Sequence, residues 1–323
     1  RYLVYRNRTL SLLTSNTQST GPKASRATRN PRPPDDYRES LPMNFTIRHL
    51  TRYRYSRPVQ FGPQQLRFRP RDDGAQRVID YRLEISPRPH GRDEQLDLEG
   101  NRVTQVWFDG EADHLDIDVS MQVETVRRNA FDFILAPEAT ALPFHHRHGA
   151  TCARAYLERI EPDDTVTAFA ASHSLAVRSD TMGFLDRLNH ELFSGFSHIH
   201  RETGAPQSPA ATLQSRNGAC RDLTVLFVDC CRAEGIAARF ASGYQKGDLR
   251  SERRHLHAWP EVYLPGAGWR GFDPTHGTAI ADANVTIAAA AHARDTMPVR
   301  GSCRGDGVDS TLDYTVEIEV LQD

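Results

Sequence analysis

Cys220, His257 and Asp273 are the side chains in this sequence whose types and surroundings point to chemistry. A thiolate attacks carbonyl carbon, an imidazole moves protons near neutral pH, and a carboxylate fixes the imidazole's tautomer and steadies its cation. Together they equip a protein for thiol-based acyl transfer. Cys220 follows Asn217-Gly218-Ala219, and Asn-Gly is a turn signal because both residues tolerate positive φ. Downstream, Leu223, Leu226, Phe227, Cys230 and Cys231 recur at helical spacing, and Gly235 stands where a helix would be capped. The pattern predicts a half-buried helix with Cys220 in its first turn, where unpaired N–H groups and the helix dipole lower a thiol pKa. A buried structural cysteine is the competing reading, and the position at a helix start argues against it.

Three strand patterns follow, over residues 236–244, 257–264 and 269–275, with Pro265-Gly266-Ala267-Gly268 as the turn between the last two. Such a hairpin brings His257 and Asp273 to one edge of a sheet. If Leu264 pairs with Trp269, however, His257 lies opposite His276, about three positions from Asp273 in a regular ladder. A bulge or strong curvature must close that gap. Pro260 cannot donate to a ladder and marks a place for one, along with an exposed edge. Spacing alone therefore pairs Cys220 with His257 and leaves Asp273 the weaker third.

The 323 residues suffice for two domains with real cores, and 38% hydrophobic with 25% charged residues fits an ordinary globular chain. No apolar run approaches the ~20 residues that span a bilayer, so no membrane role is expected. Forty basic and 42 acidic residues give −2. Without basic–aromatic interleaving, a nucleic-acid partner is not expected either. Five cysteines without C-x-x-C spacing do not form a disulfide framework, and a reducing cytoplasm is the simpler assumption.

Residues 1–42 hold eight basic and three acidic residues, rich in Ser, Thr, Asn and Pro, and read as a disordered or non-native leader. The functional chain is expected to start at Met43. Residues 43–126 read as strand after strand, the clearest being Leu115, Ile117, Val119, Met121 and Val123 alternating with polar residues, and Gly100-Asn101 as a hairpin turn. A β-sandwich-like domain results. Its arginines (Arg48, Arg52, Arg54, Arg57, Arg67, Arg69, Arg71) read as strand-edge charges. Residues 127–216 turn helical, with Asp180 capping a stripe of Met182, Leu185, Leu188 and Leu192 and a short helix at residues 209–214. Residues 196–200 read as extended, with His198 and His200 on one face. His145-His146-Arg147-His148 lacks the spacing of a zinc site.

The motifs Asn217-Gly218-Ala219-Cys220-Arg221-Asp222, residues 231–240, His257-Ala258-Trp259 and Phe272-Asp273-Pro274-Thr275 resemble the core of bacterial transglutaminase-like proteins. Asp97-Leu98-Glu99-Gly100-Asn101 is similar to the N-terminal region that often precedes that core. The resemblance implies an α+β fold: a papain-like, transglutaminase-like core with a helix-borne cysteine packed on an antiparallel sheet, preceded by the β-sandwich-like domain. The core would occupy residues 127–323, with residues 311–320 as its last strand. Cys220, His257 and Asp273 inherit the nucleophile, base and orienting roles. Pro260, Leu223, Thr224 and Cys303 depart from the family's pattern without removing a catalytic group.

The expected activity is acyl transfer on a peptide or protein amide through a thioester, by hydrolysis (peptidase or amidase) more than crosslinking. Trp259 is the candidate wall of the acyl site, with a core tryptophan as its equal alternative, and Asp222 is read as the helix cap ahead of an orienting role. No cofactor or metal is expected; calcium would call for a D-x-D-x-D loop. The rivals are an inactive peptide-binding module and a zinc site built from Cys220, His255 and His257.

Overall fold

The computed structural model describes residues 3–6, 9–12, 42–144, 150–201, 203–247 and 255–322. The alternation in Glu111–Thr125 buries Leu115, Ile117, Val119, Met121 and Val123 on one face. This strand lies between Met43–Phe61 and Gln76–Ser86, antiparallel to both. A second sheet joins Gln64–Leu66, Arg102–Trp107 and Gly91–Leu96. Its expected turn closes at Gly100, whose φ is +76° and whose N–H bonds the Asp97 carbonyl at 3.0 Å. Phe45, Ile47, Leu66 and Val106 are among the buried residues that fuse the two sheets into one core.

The last strand, Ser310–Gln322, joins this sandwich and not the core that it follows in sequence. It pairs with Met43–Phe61 from Ser310↔Tyr55 to Gln322↔Met43. Val316 is buried there, with Tyr314, Ile318 and Val320 packed beside it. The 19-residue first strand offers a backbone edge long enough to satisfy the whole of the last one. Val299–Arg300 and Cys303–Arg304 add to the same two sheets.

The second half packs helices on a five-stranded antiparallel sheet. Asp163 caps Asp164–Ala176, Asp180 caps Thr181–Ser194 and Ser208 caps Pro209–Ser215. The sheet runs in the order Thr278–Ala279, Gly268–Asp273, His257–Leu264, Ala238–Gln245 and Asn284–Ala290. The strand carrying Pro260 is thus central, and the exposed edge expected of it does not occur. Its ladder with Gly268–Asp273 stops at Glu261↔Gly271, one residue short of the proline that cannot donate. On the other side it pairs without a bulge from Ala238↔Val262 to Gly243↔His257.

Tyr244, Val285 and Ile287 belong to the sandwich's hydrophobic cluster, so the two halves share one packed boundary. Within the expected leader, Leu3–Arg6 and Thr9–Leu12 pair with each other, and Leu3–Arg6 also pairs with Phe133–Leu135. Residues 145–148, the histidine run, lie outside the described residues. No described helix is long and apolar enough to cross a membrane.

Candidate active site

Cys220 is the first residue of the helix Cys220–Ala233. The chain reaches it through a left-handed residue, but that residue is Arg216 (φ +52°), and Asn217–Gly218 is extended, paired parallel with Ser197–His198. Gly218 is there for proximity: a Cβ on it would lie 2.9 Å from Cβ of Asp222. Asp222, fully buried, accepts from the Ala219 N–H at 2.8 Å, from the Gln207 N–H at 2.7 Å and from Arg201 Nη2 at 2.6 Å. It is the cap expected of it, and it also anchors the loop before the helix. At the far end Gly235 (φ +78°) closes a Schellman motif, with Ile236 N–H on the Cys231 carbonyl and Gly235 N–H on that of Arg232.

His257 opens the central strand, and its side chain is 10% exposed. Its Nε2 lies 2.9 Å from Asp273 Oδ2, and the same imidazole is hydrogen-bonded to the Cys220 thiol. The register explains the contact. Leu264 pairs with Gly268, not Trp269, so the turn holds only Pro265, Gly266 and Ala267. Continued, this register sets Asp273 opposite Trp259, on the same face as His257 and diagonal to it, within side-chain reach. The expected three-position gap does not exist, and no bulge is needed to close it.

Charge follows from this geometry. Burial disfavours the His257 cation, but ionised Asp273 and the Cys220 thiol outweigh it and push its pKa up to about 10. Burial likewise disfavours a Cys220 thiolate; the hydrogen bond and charge of His257, with the Ala258 N–H, overcome it and hold the thiol below its ordinary value. Burial acts against ionised Asp273 too, and the charge and hydrogen bonds of His257 and His276 hold it well below the carboxylate range. Cys230 and Cys231, on the same helix but buried among apolar groups, are pushed the other way. The arrangement is a hydrogen-bonded line of thiol, imidazole and carboxylate, in which His257 favours its cation and Cys220 its thiolate more than the free groups do.

Trp259 does not wall an acyl pocket. It is fully buried with Ala241, Ile280 and Ala289, its ring 6.0 Å from that of His257 on the same face of the strand.

Two neighbours go unassigned from sequence, and a third, His198, is there only one of two histidines that could line a site or sit in solvent. His276 Nδ1 and Gln245 Nε2 reach Asp273 Oδ2 at 2.9 and 3.2 Å. His198 faces the same groups, its pKa lowered by burial and then by the charges of His257 and His276. The signal for His276 is Asp273-Pro274-Thr275-His276-Gly277: Asp then Pro opens a tight turn, which returns the fourth residue to the first.

Among the described residues, His257, Asp273 and His276 bring three metal-capable atoms within 4.8 Å of one another. The carboxylate oxygen between them already serves three nitrogen donors, so the trio closes on itself as a hydrogen-bonded network. The rival Cys220–His255–His257 set does not assemble: His255 Nδ1 bonds the Tyr314 hydroxyl at 2.7 Å and its ring lies against His200, 4.4 Å between centroids.

Residues 45–124 match the bacterial transglutaminase-like N-terminal region and residues 170–274 the transglutaminase-like superfamily. The chain is homologous to bacterial transglutaminase-like proteins. An uncharacterized protein of Mycobacterium tuberculosis is 26% identical over 301 residues, covering 86% of this chain and 95% of that protein. A protein-glutamine gamma-glutamyltransferase of Pseudomonas aeruginosa is 34% identical over 102 residues, which are 29% of this chain and 15% of that enzyme. A solved structure from Cytophaga hutchinsonii, described as a "putative cysteine protease", superimposes with a TM-score of 0.69 at 21% identity, over 88% of this chain and 92% of that one. The fold is the transglutaminase-like, papain-like one that the motifs imply.

Proposed function

We propose that this protein performs cysteine-dependent acyl transfer on amide bonds, with Cys220 as nucleophile, His257 as base and Asp273 as the orienting carboxylate. The observation that carries the reading is the hydrogen-bonded line Cys220–His257–Asp273, which ends in a thiol held below its ordinary pKa at a helix N-terminus. The Cys220 sulfur attacks the amide carbonyl carbon, and the Cys220 N–H, in the turn where a helix leaves its donors unpaired, stabilises the oxyanion. The C–N bond breaks as His257 gives its proton to the departing amine, leaving a thioester. Water, losing a proton to His257, then attacks the thioester, releasing the acid and restoring the thiol. Water needs no recognition site, so hydrolysis of a peptide or protein amide is the proposed outcome, ahead of crosslinking. The glutamine named in the Pseudomonas relative makes a glutamine carboxamide the first acyl donor to try. A reducing compartment such as the cytoplasm suits a site that works through a free thiol.

Alkylation of the native protein with iodoacetamide across pH 5 to 9, read by peptide mass spectrometry, tests the reading. Cys220 should react fast down to about pH 6 while Cys230, Cys231 and Cys303 lag, and His257→Ala should abolish the difference. If Cys220 is no faster than exposed Cys303, the protein is a transglutaminase-like peptide-binding module and not an enzyme.

A further inference from the structure

Asp273 serves two imidazoles. Its Oδ2 lies 2.9 Å from His257 Nε2 and 2.9 Å from His276 Nδ1. An ionised carboxylate offers only lone pairs, so both nitrogens facing it carry the hydrogen. The two rings stand 5.3 Å apart at 70°.

The two histidines differ in exposure. Asp273 is fully buried and His257 nearly so, whereas the His276 side chain keeps 45% of its surface. His276 therefore lies between the carboxylate and solvent. Oδ1 is already fixed by the turn, accepting from the Thr275 and His276 N–H groups at 3.0 and 3.3 Å. Oδ2, the oxygen that faces His257, has no backbone donor in this turn and is aimed by side chains: His257, His276 and Gln245. Gly277 (φ +67°) ends this turn beside Phe193, whose ring a Cβ would approach to 2.8 Å.

We propose that His276 is a positioning residue for the reaction: its Nδ1–H holds Oδ2 toward His257, and its ring keeps water off that oxygen. The inference rests on the roles given above to Cys220, His257 and Asp273. His276 touches no reacting atom; it acts through Asp273. Without it, water competes for Oδ2, the His257 cation loses part of its support, and the Cys220 thiolate that faces this cation becomes harder to form.

The test is alkylation of Cys220 against pH in the full chain, with His276→Ala and His276→Asn. Asparagine puts an amide N–H where Nδ1 stands, restoring the donor without the ring. In His276→Ala the pH midpoint of Cys220 alkylation should rise by about one unit, a roughly tenfold slower reaction at a fixed pH below it. His276→Asn should bring the midpoint back to within about a third of a unit of the unaltered protein. A merely structural role lowers the melting temperature and leaves the midpoint in place. If His276→Ala fails to fold, His276→Phe keeps the cover and drops the donor, and should show a rise of at least about half a unit, smaller than that of alanine. Coincident midpoints, a downward shift, or equal shifts in the Ala and Asn variants overturn the proposal. If Cys220 in the unaltered protein reacts no faster than Cys303, the acyl-transfer reading itself fails, and the positioning role with it. The unaltered protein thus distinguishes the two failures.

Discussion

Asn101 completes the edge of a sheet to which it does not belong. Its Nδ2 donates to the Ala289 carbonyl at 3.0 Å, and its Oδ1 accepts the Ala289 N–H at 2.9 Å. Gln76 does the same at Thr286, at 2.8 Å in both directions. Asn284–Ala290 is the edge strand of the core sheet, and two amide side chains from the sandwich stand where a further strand would pair. The Asp97-Leu98-Glu99-Gly100-Asn101 motif thus joins the two halves of the molecule. Asn101→Ala leaves a buried N–H and a buried C=O unpaired, which costs on the order of 2–4 kcal/mol. Denaturant unfolding should show that loss, and amide exchange at Ala289 should quicken, with the alkylation profile of Cys220 unmoved. Stability equal to that of the unaltered protein would mean that the amide pair only fills space.

Asp222 sets the start of the cysteine helix. Truncation to alanine leaves the Ala219 and Gln207 N–H groups and the Arg201 guanidinium without their shared acceptor. The expected loss is about 3 kcal/mol. Because the first turn then frays, the pH midpoint of Cys220 alkylation should also rise. Asp222→Asn, which keeps the shape and one acceptor, should fall between. A melting temperature insensitive to both changes would rule out the capping role.

His257 ties stability to pH. A folded pKa of about 10, against an unfolded value of about 6.5, means that the group stabilises the fold fully below pH 6.5. That contribution is lost as pH rises toward 10. In a Cys220→Ser background, where no thiolate offsets the proton on His257, the stability difference between His257 and His257→Gln should therefore shrink by up to roughly 1.4 kcal/mol per pH unit across that window. Chemical denaturation at several pH values measures it. A difference that stays constant would show that His257 is neutral in the native state.

Gly243 lies under the site. The pairing of Ala238–Gln245 with Asn284–Ala290 slips between Ser242 and Gly243. A Cβ at Gly243 would come 1.9 Å from the Val285 carbonyl and 2.9 Å from the Trp259 ring. Backbone cannot yield as a flexible side chain does, so Gly243→Ala should cost about 3 kcal/mol or more. It should also slow Cys220 alkylation, since the displaced Trp259 ring lies 6.0 Å from that of His257. A variant as stable and as reactive as the unaltered protein would refute the close packing.

The helix bearing Cys220 is legible in sequence because its determinants are local. The stripe of Leu223, Leu226, Phe227, Cys230 and Cys231, the acid at Asp222 and the glycine at Gly235 each act within a few residues. The alternation in Glu111–Thr125 is legible for the same reason, since one strand's burial pattern is written along the strand itself. Which backbone the residues 310–322 pair with is not written there, because any edge of matching length satisfies the same alternation. Only the folded chain shows that the open edge belongs to Met43–Phe61. The site depends on a still finer choice. Sequence identifies Cys220, His257 and Asp273 by type and motif, but a turn of four residues at 265–268 would set Asp273 opposite Pro260, facing away from His257. The turn takes three, with Gly266 and Gly268 both at positive φ. That shift of one residue carries the carboxylate to the other face of the sheet, where His257 and His276 meet it.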